Sequence, residues 1–272
     1  MSIKRSGSGV HGAVREGVET VLKSVVMHDI DMDGIAAMER WYWARHAPEI
    51  NRRFGPWLVR HDSYHPVDAP ADARAHGWHN WRVTEGTWRE MPQAGPRGHL
   101  AFTVPPQWPR VATAFFPAQP TDDFCGGGLQ PGERQVLRWY CLTRWPEGVP
   151  EADAERWFLE VHARELAALG SPFRAFSTRA QREPVPLPGE WPASAHPPRA
   201  SVRHDWQRLT ELWFESFAEW RAFMAAGATL APPPWARKGD AYPWLKPGLE
   251  IASSFLLERP SDEFARDARG YL

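Results

Sequence analysis

The chain has 272 residues with a formal net charge of −1; 43% are hydrophobic and 24% charged. That balance supplies no basic footprint for nucleic acid or an anionic membrane surface, and the length suits one large domain or two ordinary ones. Cys125 and Cys141 have neither metal-binding spacing nor the number a disulfide framework needs, and no apolar run reads as a signal peptide or a membrane span. The expectation is a cytoplasmic protein.

Residues 1–18, Gly/Ser-rich and polar, read as a mobile leader. Glu19 to Asp29 is β-branched and partly alternating, a first strand with His28 at its end. Asp29, Asp31 and Asp33 have calcium-loop spacing but lack that loop's Gly and closing Glu, so capping and turn chemistry explain them better. A helix over 34–50 follows, then a strand from Trp57 to Tyr64, a Pro/Ala/Asp-rich loop over 66–78, and a strand from His79 to Thr87. Trp88 to Met91 would start a second helix. Residues 92–108 show no period, Arg110 to Phe116 is strand-like, and Pro117 to Phe124 leaves that strand for a Gly/Pro linker over 125–134.

The second half repeats the order. It has a strand over Gln135 to Trp145, a helix over 151–169, strands over Phe173 to Thr178 and Asp205 to Phe214, a helix over Glu215 to Ala226, and a strand over Leu249 to Leu257. The Pro-rich stretches 184–198 and 231–247 read as loops, and 259–272 as a loosely held, charged tail. Glu39 to Ile50 and Glu155 to Leu166 share the pattern E-R-W-[YF]-x-x-x-H-A-x-E-[IL] at a constant offset of 116, and Val83-Thr84-Glu85 is answered by Leu209-Thr210-Glu211. Each half thus reads strand, helix, strand, strand, helix, strand, the ferredoxin-like order. The fold class expected is α+β: two tandem ferredoxin-like repeats, 19–124 and 135–258, forming a pseudo-dimer within one chain.

On a helix of 3.6 residues per turn, Phe158, His162, Leu166 and Leu169 form one stripe, widened by Trp157, Val161 and Ala168. Glu155, Arg156, Glu160 and Arg164 make the wet face. Both histidines therefore point inward, one turn after an aromatic residue, and Pro48 is expected to kink or end the first helix. A buried imidazole can pass a proton near neutral pH, so His46 is the first candidate for chemistry and His162 its counterpart.

The doubled W-[YF]-x-x-x-H-A helix, the strands at Val83 to Trp88 and Leu209 to Phe217, and Pro120-Thr121-Asp122-Asp123-Phe124 together resemble the EthD-type branch of the dimeric α+β barrel superfamily. The resemblance implies a cavity between sheet and helices for a mostly apolar ligand, with His or Tyr groups moving protons. Its motif carries over only His46 and His162.

His28, His46 and Tyr64 are expected to converge at one pocket in the first repeat. Arg60 is a candidate anchor for a carboxylate or phenolate; Tyr42, Trp41, Trp43 and Trp81 are candidate lining, since an excess of flat rings suits an aromatic ligand. His46 with Glu49, and His162 with Glu165, have the spacing of metal ligands but no third partner, and no phosphate loop or nucleophile elbow occurs. The resulting expectation is a lyase or isomerase without cofactor or metal, acting by His acid/base proton transfer on a small aromatic or polyketide-like substrate, with a homodimer left open. A monooxygenase, cofactor-free or haem-bound, and a non-catalytic small-molecule binding protein are the alternatives.

Overall fold

The computed structural model describes residues 22–89, 103–129, 136–181, 202–236, 251–257 and 259–264. The first repeat supplies β1 (Leu22–Asp29), α1 (Ile35–Trp41), α2 (Ala47–Phe54), β2 (Leu58–Tyr64), a short α3 (Ala71–Arg74), β3 (Arg82–Trp88) and β4 (Arg110–Pro117), followed by β5 (Asp122–Cys125). The second supplies β6 (Leu137–Thr143), α4 (Glu151–Trp157), α5 (Ala163–Ala168), β7 (Arg174–Arg179), β8 (Val202–Arg203), β9 (Arg208–Phe214), α6 (Phe217–Gly227) and β10 (Ile251–Leu257), followed by β11 (Asp262–Glu263).

One sheet has the order β11-β2-β3-β1-β4-β8 and the other β10-β6-β9-β7-β5. Setting β5, β8 and β11 aside, both sheets run second, third, first, fourth strand of their own repeat, antiparallel throughout. These are tandem ferredoxin-like α+β repeats.

Short strands cross between the repeats at the sheet edges. β5 leaves the first repeat to pair with β7 of the second, and β11 leaves the second to pair with β2 of the first. β8, from the second repeat, runs parallel to β4, while the β2–β3 connection of the first laces β10 through bonds from Val67, Gly77 and His79. Gly77 takes a φ of +67° there, and a Cβ on it would stand 2.0 Å from the Ile251 carbonyl oxygen. Each sheet edge is thereby paired by the other repeat, which removes a template for aggregation.

Strand alternation sorts the side chains into two layers. Val25, Met27, Tyr64 and Val83 of the first repeat meet Tyr140, Leu142, Leu209 and Leu256 of the second between the sheets. The opposite faces carry the helices, over Leu22, Phe54, Leu58 and Trp88 in one repeat and Trp139, Phe158, Phe214 and Trp220 in the other.

The motif helices are not regular. Tyr42–His46 and Phe158–His162 each form one π-turn, in which the N–H of Ala47 or Ala163 reaches back to the carbonyl of Tyr42 or Phe158. Pro48 sits at the start of α2, and the helix runs on to Phe54 rather than ending. The second repeat has Arg164 at that position and the same π-turn, so the proline does not cause it. Two other expectations are corrected. Val161 is 37% exposed, and Glu155, placed on the wet face, is buried at 8% because it pairs with Arg208 from β9.

The tail is held where it is described: Asp262 and Glu263 pair with β2, and Phe264 is buried. Trp88 closes β3 and the Arg89 N–H donates to the Trp57 carbonyl, instead of the two opening a helix; Glu90 and Met91 lie outside the described residues, as do the leader and the 184–198 loop. Among the described residues no helix is long and apolar enough to cross a membrane, and no group of three His, Cys, Asp or Glu side chains could hold a metal ion.

Candidate functional site

A cavity of about 130 Å³ opens in the helix layer of the first repeat. His28, Trp41 and His46 form one side; Pro105, Trp108 and Pro109 another; Val111 of β4 and Val202 of β8 complete it. The second repeat therefore contributes to the wall, and none of these eight side chains is an Asp, Glu, Lys or Arg.

His28 reaches the cavity because its parity on β1 turns it toward the helices, cross-strand from Val111. Trp81 meets its ring edge-on at 5.7 Å. The buried Nδ1 of His28 has no hydrogen-bond partner among the described residues. With the ring proton on Nε2, Nδ1 keeps a bare lone pair. Burial, reinforced by charge repulsion from His46 and Arg82, holds the pKa down at about 3.

His46 arrives through the π-turn. On a regular helix a residue and the fifth after it lie about 140° apart. The wider turn brings Trp41 and His46 together, stacked at 4.6 Å with 25° between planes, while Tyr42 lies 5.3 Å from the same imidazole. Burial first and His61 second hold His46 at about 3. Both imidazoles are neutral at neutral pH. Their mutual repulsion means that a proton taken up by one opposes protonation of the other.

The remaining sequence candidates separate. Tyr64 has the opposite parity: it lies between the sheets under the Arg138 guanidinium, at 5.3 Å, so it does not join His28 and His46. Burial pushes its phenol above the ordinary range. Arg60 is exposed and pairs with Asp62, the usual fate of such an Arg. Trp43 is 49% exposed and packs on Phe264. Trp81 and Tyr42 are buried behind the cavity, Trp81 bonded to Glu39 and Tyr42 to Thr84. Glu49 turns to Thr103. His162 is buried and stacked on Trp157 at 4.8 Å and 23°, a close copy of the first stack.

Sequence reading missed two parts of this architecture, both doubled. Arg82 and Arg208, fully buried and 126 residues apart, each hold the motif Glu of their own helix (Glu39, Glu155) and the Asp of an exchanged strand (Asp262, Asp122). The cavity wall Pro105-Pro106-Gln107-Trp108 has a counterpart in Pro232-Pro233-Pro234-Trp235, where Trp235 meets Trp157 edge-on at 5.3 Å. The offset linking Glu85 to Glu211 would have found both pairs to within one residue.

A family model described as the chalcone isomerase N-terminal domain matches residues 19–104, about a third of the chain. This match replaces the EthD-type resemblance read from the motifs. No curated protein matches the chain. Among solved structures, a mutant chlorite dismutase from Candidatus Nitrospira defluvii in complex with cyanide is similar at 7% identity, covering 94% of this chain and 96% of that one, with a TM-score of 0.42. An anthrone oxidase-like protein is similar at 10% identity, covering 88% and 91%, with a TM-score of 0.43. At these scores the likeness reaches neither individual residues nor chemistry.

Proposed function

We propose that the first repeat carries the working site of a lyase or isomerase that needs no cofactor and moves protons on a small aromatic or polyketide-like molecule. The observation that carries this reading is the pair of buried, neutral imidazoles on one wall of an apolar cavity, one of them with an unoccupied lone pair. The matched family model, whose name speaks of isomerisation of a chalcone, supports the same class.

The cavity has about the volume that accepts one benzene-sized ring. No charged side chain lines it, so the part of the substrate that enters is uncharged, because an unpaired ion there would lose its hydration without compensation. The His28 imidazole accepts a proton from a carbon or hydroxyl made acidic by a neighbouring carbonyl or phenol. His46 remains neutral while His28 is charged. It therefore serves as a hydrogen-bond donor to the oxygen that gathers negative charge, while His28 returns the proton it took at a second position. Delivery to carbon gives an isomer; delivery to a departing hydroxyl gives a lyase reaction.

The test is a panel of hydroxylated aryl ketones, enones and enolic polyketide analogues, followed by ultraviolet absorbance in air and under argon. Turnover should be equal in both atmospheres. His46→Ala and His28→Ala should each lower kcat/KM by about 10²- to 10⁴-fold. Full turnover by His46→Ala, or a strict need for oxygen, would overturn the assignment.

A further inference from the structure

We propose that the segments Pro120–Phe124 and Pro260–Phe264, two copies of P-[ST]-D-[DE]-F, are reciprocal straps that each set the histidine-bearing helix of the other repeat, so that Asp262 and Phe264 are positioning residues for His46.

The two straps match contact by contact. Asp262 pairs with Ser63 on β2, as Asp122 pairs with Ser177 on β7. The Ser261 hydroxyl accepts from the His65 N–H at 3.0 Å, as the Thr121 hydroxyl accepts from the Arg179 N–H at 3.0 Å. Asp262 accepts from Arg82 at 2.8 Å, and Asp122 from Arg208 at 2.9 Å. Each arginine continues to the motif Glu of the helix. Last, the Phe264 ring lies 5.7 Å from Tyr42 and the Phe124 ring 6.0 Å from Phe158, in both cases the aromatic residue that opens the π-turn.

Holding that residue sets where the histidine falls. The Tyr42 carbonyl closes the π-turn, its hydroxyl is tied to Thr84 at 2.9 Å, and the Arg82 guanidinium lies 4.3 Å over its ring. Arg82 is in turn fixed by Asp262. A second line runs through His61, whose Nδ1 is 2.9 Å from the Asn51 side-chain oxygen; Asn51 donates to the Phe264 carbonyl at 3.1 Å, and the Phe264 ring lies 5.1 Å from His61. The second repeat has Ala167 and Ala175 where the first has Asn51 and His61. Of the two straps, Pro260–Phe264 is therefore the one tied to a further imidazole, His61.

The inference takes the cavity above as the site, but its readout needs no turnover, so its failure is separable from failure of the proton-transfer reading. Protein labelled with ¹⁵N-histidine would be titrated by NMR as wild type, Phe264→Ala, Asp262→Ala, Asp262→Glu, and the chain stopped after Leu257. The expected result is movement of the His46 and His61 ring signals in both alanine variants and the shortened chain, with His46 titrating closer to 6.5, partial recovery in Asp262→Glu, and unchanged His162 signals. Asp122→Ala and Phe124→Ala should do the reverse, moving His162 and sparing His46. If the shortened chain does not fold, the point variants decide. Unchanged His46 signals in Phe264→Ala and Asp262→Ala, or equal movement of His46 and His162 in either, would overturn the proposal.

Discussion

The two repeats present the same Trp–His stack in different surroundings. The stacks agree within 0.2 Å and 2°: 4.6 Å and 25° in the first, 4.8 Å and 23° in the second. What differs is what faces them. The register that puts His28 opposite Arg82 puts Thr143 opposite Arg208, and Val111 corresponds to Ile251. At a deeper position of the layer, the first repeat has Ser24 where the second has fully buried Trp139. Among the described residues the first repeat sets a second imidazole and a cavity beside its stack, where the second sets Thr143, Ile251 and Trp139. The stacked histidine is common to both repeats, so the proposed chemistry of the first rests on the second imidazole that faces it.

The largest effect should separate the stacks by activity. His46→Ala is expected to lose about 10²- to 10⁴-fold in kcat/KM. His162→Ala should leave the rate per folded molecule within about threefold while lowering the thermal midpoint, since a buried large-to-small change costs roughly 2–5 kcal/mol. Steady-state kinetics beside a thermal melt checks both. Equal losses of activity would erase the distinction between the repeats.

Next in size is a test of what they share. Arg82 and Arg208 are buried to 0% and 1% at the side chain; their acids are Glu39 at 29% and Asp262 at 11%, against Glu155 at 10% and Asp122 at 24%. Removing one partner of a buried ion pair costs about 3–5 kcal/mol. Arg208→Ala should fall in that range, and Arg82→Ala toward its lower end, because water reaches Glu39 more freely. Urea unfolding of both variants gives the comparison, and a cost under 1 kcal/mol for either would deny the clip its role.

The repeat order, the motif helices and the paired Val83-Thr84-Glu85 and Leu209-Thr210-Glu211 strands were legible because they rest on local period and on self-similarity. The π-turn was not, since a period of 3.6 pairs His46 with Tyr42 and hides its stack on Trp41. Alternation correctly put Tyr64 on one face of β2 with Asp62 and opposite His61, yet only the pairing of sheets shows that His28 looks the other way. Glu155 reads as solvent-facing until Arg208, 53 positions later, is seen beside it. The second copy of P-[ST]-D-[DE]-F was in plain view. It was overlooked because a charged terminal stretch usually marks a loose tail.

Acid stability should report the imidazoles. His28 and His46 titrate at about 3 and His61 at about 4, all below the ordinary 6.5, chiefly through burial. Between those values and 6.5 the unfolded chain binds protons that the folded chain refuses. Stability is therefore complete above about pH 6.5 and falls as pH drops, by roughly 1.4 kcal/mol per pH unit for each histidine. Glu85 adds a lower window. Burial favours its neutral form, but Lys23 and Arg138 outweigh that and hold it at about 2, so its contribution is lost as pH falls from about 4.5 toward 2. Urea midpoints from pH 7 to pH 4 should decline in wild type and more shallowly in His28→Thr.

The same variant gives the smallest and sharpest comparison. His28→Thr writes the second repeat's residue into the first, at a position where β1 and β6 have matching registers. The threonine loses the packing of the imidazole against Trp81 but also removes a buried, unpaired nitrogen. The two changes are of similar size, about 1–3 kcal/mol each, so net stability should move by less than about 1 kcal/mol. Activity should nonetheless fall as far as in His28→Ala, because the lone pair is gone. A variant that keeps both its stability and its turnover would show that the difference between Thr143 and His28 is incidental, and that the cavity, not the second imidazole, distinguishes the repeats.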